Sequence, residues 1–200
     1  MTPPNPKVFL EHLNVFDCSK VSDGASSLVV LSEEGLEKVG VDKKDCVEVV
    51  GFSQAEDDIT KHYPDLTHLI ATEKAAKNAM AMAGISNDDV GILELHDCFS
   101  ITALLALESM GFVNKGEAPD FVMDGHTKID GSLPTNASGG LIGFGHYTGG
   151  TGVRQVVDLL HQFTGKAADY QVEIKKPYGL SLNMGGNDKS VASVVVKRAE

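Results

Sequence analysis

Hydrophobic positions along the chain fall into two spacings. Residues 25–31 (Ala-Ser-Ser-Leu-Val-Val-Leu) predict a buried strand, and Ser32-Glu33-Glu34 opens a helix that Gly40 can stop. Residues 45–52 (Asp-Cys-Val-Glu-Val-Val-Gly-Phe) place β-branched side chains between charged flanks and predict a second strand. From Thr72, the face made by Ala75, Ala76, Ala79, Met80 and Ala83 predicts a helix that Gly84 closes. Residues 90–95 predict a third strand. Ser100 as N-cap predicts a helix over residues 101–110, with Leu104, Leu105 and Leu107 apolar and Gly111 at the exit. Residues 111–135 are polar and irregular, as in a surface excursion. Thr151 is expected to cap a helix reaching about Phe163, with Val153, Val156, Val157 and Leu160 as its apolar stripe. Residues 180–182 and 191–196 predict the last strands, joined by a turn at Met184-Gly185-Gly186-Asn187. Alternating strands and helices predict a layered α/β sheet.

Composition narrows the function classes. The chain has 200 residues, 42% of them apolar, enough to bury a core. With 17 Lys and Arg against 28 Asp and Glu, the net charge is −11 and no basic stripe offers a nucleic acid its counter-charge. The longest apolar run, from Ile101 to Leu107, is far short of the ~20 residues a membrane span needs. The opening Met1-Thr2-Pro3-Pro4-Asn5-Pro6 has no apolar stretch of the secretory kind. The closing Val196-Lys197-Arg198-Ala199-Glu200 is not a peroxisomal tripeptide. Cys18, Cys46 and Cys98 are odd in number and irregularly spaced, so a reducing, intracellular compartment is expected, cytoplasm or an organelle matrix.

Three segments carry candidate chemistry. Glu94-Leu95-His96-Asp97-Cys98-Phe99 ends a strand just before a helix, where open α/β sheets place ligands. The helix dipole there is expected to favour a Cys98 thiolate, although a free cysteine is most often a small buried hydrophobe. Residues 136–152 hold seven glycines around His146, a density that suits close backbone approach and a general base reaching substrate. The segment lacks the Gly-Lys-Ser/Thr of a phosphate loop and the strand and acid of a dinucleotide fold. Asn183-Met184-Gly185-Gly186-Asn187, alone, is a hairpin turn. His96, Cys98 and His146 do not match structural zinc spacing, and no metal is expected.

Together, in this order, the segments resemble the C-terminal half of the thiolase superfamily, and its sterol-carrier-protein type in particular. The matching signatures are His-Asp-Cys-Phe at His96 to Phe99 and Asn-x-Ser-Gly-Gly-Leu…Gly-His…Gly-x-Thr-Gly from Asn136 to Gly152. Asp17 to Ala25 is similar to the approach to the last strand of the family's N-terminal half. The resemblance implies a mixed five-stranded sheet with helices packed on it. Residues 1–44 would be a remnant of the N-terminal half (its last strand and a helix) and residues 45–200 the C-terminal domain. It also implies acyl-CoA chemistry, thiolysis or Claisen condensation, with coenzyme A thioesters as substrates and no further cofactor. By position, His146 resembles the base that activates a nucleophilic Cys. Cys98 resembles the subgroup's acid/base, His96 the residue that orients an oxyanion-hole water, and Gly185 the backbone donor of the other oxyanion hole. Asn183 stands where classical thiolases carry an acid/base Cys.

Two features depart from the family. Tyr147 and Thr148 replace the usual Pro-Leu after Gly-His, and a phenol beside the base suits a thiolase-like retro-aldolase. The nucleophilic Cys lies, in the family, before the region matched. Cys18 falls in the lead-in, and Cys46 is expected to pack in an ordinary strand. The chain is therefore expected to be inactive alone and to need a thiolase N-terminal half in a homo- or hetero-oligomer. The alternative is a non-catalytic subunit that binds a partner chain or an acyl-CoA.

Overall fold

The computed structural model describes residues 12–200; the proline-rich lead-in lies outside the described residues. The elements are α1 (Glu33–Val39), β1 (Val47–Glu56), α2 (Ile70–Ala83), β2 (Val90–Glu94), α3 (Ser100–Ser109), α4 (Ala118–Met123), α5 (Gly140–Phe144), α6 (Thr151–Thr164), β3 (Tyr178–Gly185) and β4 (Ser190–Arg198). The strands form one mixed sheet in the order β1-β4-β3-β2. β4 runs antiparallel to both β1 and β3, and β2 runs parallel to β3.

Among the described residues the sheet has four strands, not the expected five. Beside β2, a single parallel bridge between Leu93 and Thr135 takes the next place. Leu93 N–H donates to Pro134 O at 2.9 Å and Asn136 N–H to Leu93 O at 2.9 Å. The ladder stops because Pro134 has no amide hydrogen and Asn136 turns at φ +50°. The Asn136 side chain then takes over the pairing: its Oδ1 accepts from Leu95 N at 2.6 Å and its Nδ2 donates to Leu95 O at 3.1 Å.

Helices cover both sheet faces. On one, the fully buried Ala75, Ala76 and Ala79 of α2 pack with Leu107 of α3 on Leu93, Leu180, Leu182 and Val195. Small side chains let α2 lie close on β1; a Cβ on Gly51 would overlap the Ala79 carbonyl. On the other face, Leu159 and Phe163 of α6 pack against Ile92, Val172 and Val196.

Helix ends follow the sequence where the signal is local. Ser32 Oγ accepts from Gly35 N at 3.1 Å and Gly40 closes α1 in the left-handed region. Gly84, at φ +70°, closes α2. The start of α2 is set from afar. Asp188, buried in the β3–β4 turn, accepts from Ala71 N at 2.9 Å, Thr72 N at 2.8 Å and Thr72 Oγ1 at 2.7 Å. The helix therefore begins at Ile70, ahead of the expected Thr72. Phe99 and Gly150, not Ser100 and Thr151, occupy the N-cap positions of α3 and α6. Both hydroxyls are used elsewhere, Ser100 Oγ donating to Asp17 at 3.0 Å.

Four further expectations are corrected. Residues 25–31 have no sheet partner among the described residues, and Val29 and Val30 are 81% and 76% exposed. Residues 111–135 are not merely a surface excursion, because α4 forms there and Ala118 and Leu133 enter the main core. Cys46 precedes β1 and its thiol donates to Asp42 O at 3.6 Å. On α6, the most buried face is mostly polar: Thr151, Gln155, Asp158 and Gln162, with Leu159 and Phe163. The expected stripe of Val153, Val156, Val157 and Leu160 is only half-buried.

Candidate active site

A cavity of about 480 Å³ opens between the segment joining β2 to α3, the loop ahead of α6 and the β3–β4 hairpin. His96, Cys98, His146 and Gly185 all line it, with Thr102, Asn183 and Ala192 among their neighbours. The rings of His96 and His146 lie 5.0 Å apart between centroids and cross at 88°. Residues 50 apart in the chain thus share one floor. Backbone does part of the gathering. Ser19 N–H donates to Cys98 O at 2.8 Å and His146 N–H to Lys20 O at 3.0 Å, so one short strap touches both loops.

The His96 tautomer follows from a chain of amides. Gln155 Nε2 donates to Glu94 O at 3.3 Å and to Leu182 O at 3.1 Å, which turns its Oε1 toward Asn183. Asn183 Nδ2 donates one hydrogen to that oxygen at 3.1 Å and the other to His96 Nδ1 at 3.1 Å. With Nδ1 accepting, the neutral ring carries its proton on Nε2 and offers an N–H. Burial and the neighbouring His146 hold His96 down at about 4, so it is neutral near pH 7.

His146 is set the opposite way. Its Nδ1 lies 2.8 Å from Thr151 Oγ1, and that hydroxyl spends its single proton on Tyr147 O at 3.2 Å. The ring must therefore donate from Nδ1, leaving Nε2 with a free lone pair. Burial lowers its pKa, with Asp97 acting in the other direction. A lone pair on one imidazole and an N–H on the other are what a base and an electrophilic helper require.

Cys98 departs from expectation. Burial pushes the thiol up, and Asp97 adds to the effect, outweighing the hydrogen bonds from Thr102 and the backbone of Phe99. It stands two residues ahead of α3 and is a protonated thiol at neutral pH, a donor rather than a thiolate. Gly185 ends β3 with open space beside it; a Cβ there would meet only Ser190 O, at 3.8 Å. Asp97 is turned away as a buttress, its carboxylate accepting from Leu141 N at 2.7 Å. At φ +62°, Gly140 passes so close to that carboxylate that a side chain would overlap it.

Tyr147 does not line this cavity. Its ring packs between Gly24 and Gly150, and its hydroxyl lies 2.7 Å from Ser26 Oγ. Among the described residues no cluster of three or more His, Cys, Asp or Glu could hold a metal ion. No helix there is long and apolar enough to cross a membrane. Sequence reasoning missed Thr151, Gln155 and Asn183 as the holders of the two imidazoles. The signal was present on α6, where Thr151, Gln155, Asp158 and Gln162 recur at helical spacing.

Comparison with known proteins identifies the family. Residues 53–198 match the family model described as thiolase C-terminal domain-like. An acetyl-CoA acetyltransferase of Methanothermobacter thermautotrophicus is 38% identical over 195 residues, covering 97% of this chain and 50% of the relative. Sterol carrier protein 2 of Rattus norvegicus is 33% identical over 188 residues, covering 92% of this chain and 34% of the relative. The chain thus spans half or less of the length of these relatives. Among solved structures, a chain of an Ltp2-ChsH2(DUF35) aldolase superposes with a TM-score of 0.73 at 19% identity, covering 95% of this chain and 48% of that one. That likeness is one of fold.

Proposed function

Since the chain belongs to the thiolase family, as a C-terminal domain, we propose that it is the C-terminal portion of a thiolase-type acyl-CoA C-acyltransferase. The observation that carries the reading is the pair of oppositely tethered imidazoles facing one cavity with a protonated thiol. In this scheme His146 Nε2 takes the proton of a nucleophilic Cys, whose thiolate attacks the acyl thioester and releases coenzyme A as the thiol. Cys98 gives or takes the proton at the α-carbon as the C–C bond breaks or forms. His96 Nε2–H, through a water, and the Gly185 amide hold the developing oxyanions.

The nucleophile comes from an N-terminal half, in the same or another polypeptide. Cys18 and Cys46 do not line the cavity, and Cys98 is assigned to proton transfer. Two apolar features suit such a half: the exposed, unpaired run at residues 25–31 and the half-buried valine stripe of α6. The former has the composition of a strand awaiting a sheet edge.

The test adds the 200-residue chain to a thiolase N-terminal half bearing its nucleophilic Cys, with acetoacetyl-CoA and CoA. Turnover in the mixture and none from either part is expected. Turnover by this chain alone overturns the missing-nucleophile argument; a stable complex without turnover overturns catalysis and leaves a binding subunit. A retro-aldolase using Tyr147 is less well supported, because that phenol faces Ser26 outside the cavity. In the active complex Tyr147→Phe should leave thiolysis nearly intact.

A further inference from the structure

A second, smaller cavity of about 20 Å³ has a lining that includes Glu94, Ser138, Tyr147, Arg154 and Asp158. Glu94 is 2% exposed, and its Oε1 is the one buried side-chain nitrogen or oxygen among the described residues without a hydrogen-bond partner. Arg154 does not fill that need. Its Nε is taken by both carboxylate oxygens of Asp158, each at 2.8 Å. Burial first, then the charges of Asp158 and Asp97, push the Glu94 carboxyl well above its ordinary range, with Arg154 as the opposing charge. These surroundings favour the neutral form of Glu94, which can both donate and accept.

A buried polar atom left unpaired is costly, and proteins meet that cost with an ordered water where space and partners allow. One water needs roughly 10–15 Å³ and two to four polar partners. The cavity has room for a water molecule. Around it, Ser138 Oγ donates to Asp158 at 2.9 Å and keeps its lone pairs. The Tyr147 hydroxyl shares one bond with Ser26, and Arg154 lines the same space.

We propose that this cavity is a binding site for a single buried water, held by Glu94 Oε1 together with Ser138, Tyr147 or Arg154, and joining the end of β2 to the start of α6. Such a water braces the two segments that carry His96 and His146, since Glu94 precedes the first by two residues and Tyr147 follows the second. The site does not depend on the thiolase reading.

High-resolution crystal structures of the full chain, of Glu94→Gln and of Glu94→Leu test it. An ordered water within about 3.2 Å of Glu94 Oε1 is expected in the parent chain. It is expected to persist beside the amide of Glu94→Gln and to be expelled in Glu94→Leu. Infrared spectra at neutral pH should show a protonated carboxyl band that Glu94→Gln abolishes. A dry cavity in the parent chain, Glu94 swung onto Arg154 as an ion pair, or a water retained in Glu94→Leu each overturns the proposal. Should Glu94→Leu fail to fold, the parent chain and Glu94→Gln still decide it.

Discussion

His96 and His146 face one cavity from rings 5.0 Å apart and nearly perpendicular, one presenting an N–H and the other a lone pair. Identical side chains take opposite roles because their Nδ1 atoms have opposite partners, an amide donor in one case and a hydroxyl acceptor in the other.

Thr151→Val keeps the shape of the side chain and removes the acceptor for His146 Nδ1. The ring is then free to change tautomer. In the complemented enzyme kcat should fall about tenfold, the equivalent of one hydrogen bond. Nitrogen chemical shifts of His146 should report a mixture of tautomers; an unchanged Nδ1–H population would remove Thr151 from the account.

Asp188 holds the first turn of α2 through three hydrogen bonds while shaping the turn that borders the cavity. Asp188→Ala leaves buried donors unpaired and should destabilise the chain by about 1–3 kcal/mol in denaturant unfolding. A loss below a few tenths of that would mean the helix start is held by packing alone.

Stability should respond to pH with two opposite signs. His96 is lowered from 6.5 to about 4 by burial and His146, so between those values the unfolded chain binds the additional proton. Its contribution is complete above about 6.5 and is lost as pH falls through about 4, on the order of 3 kcal/mol. Glu94 is raised, chiefly by burial, so above its unfolded value of 4.5 the folded chain keeps a proton that the unfolded chain releases. That contribution declines as pH rises toward the folded value. Denaturant unfolding across pH should show both limbs, and Glu94→Gln should flatten the alkaline one. An identical alkaline decline in the variant would place its origin elsewhere.

Val29 is 81% exposed. Val29→Lys should therefore leave the unfolding midpoint within about 0.5 kcal/mol of the parent. It should weaken association with an N-terminal half at least tenfold in sedimentation or calorimetry, roughly 1.4 kcal/mol. Equal affinity would exclude residues 25–31 from the interface.

What the sequence revealed depended on the range of each interaction. Gly40 and Gly84 end helices through their own backbone freedom, and both ends were legible. The ordered signatures around His96 and His146 marked the segments that line one cavity. Asn183 and Gln155, by contrast, act on His96 through contacts 87 and 28 residues apart in sequence, which no local pattern encodes. The α6 stripe was misjudged because two faces of that helix satisfy the same period, and the polar one is buried deepest. Residues 25–31 have strand composition without a strand partner, so propensity had no pairing to express it.

Both imidazoles are tethered to the same helix, His146 directly through Thr151 and His96 through Asn183 and Gln155. The opposite side of that helix is the valine stripe. α6 thus carries the tethers of both rings on one side and an apolar face on the other. A displacement of this helix would therefore move the partners of both rings together. If an N-terminal half seats on the valine face, as proposed, its docking and the setting of both rings are joined through one helix.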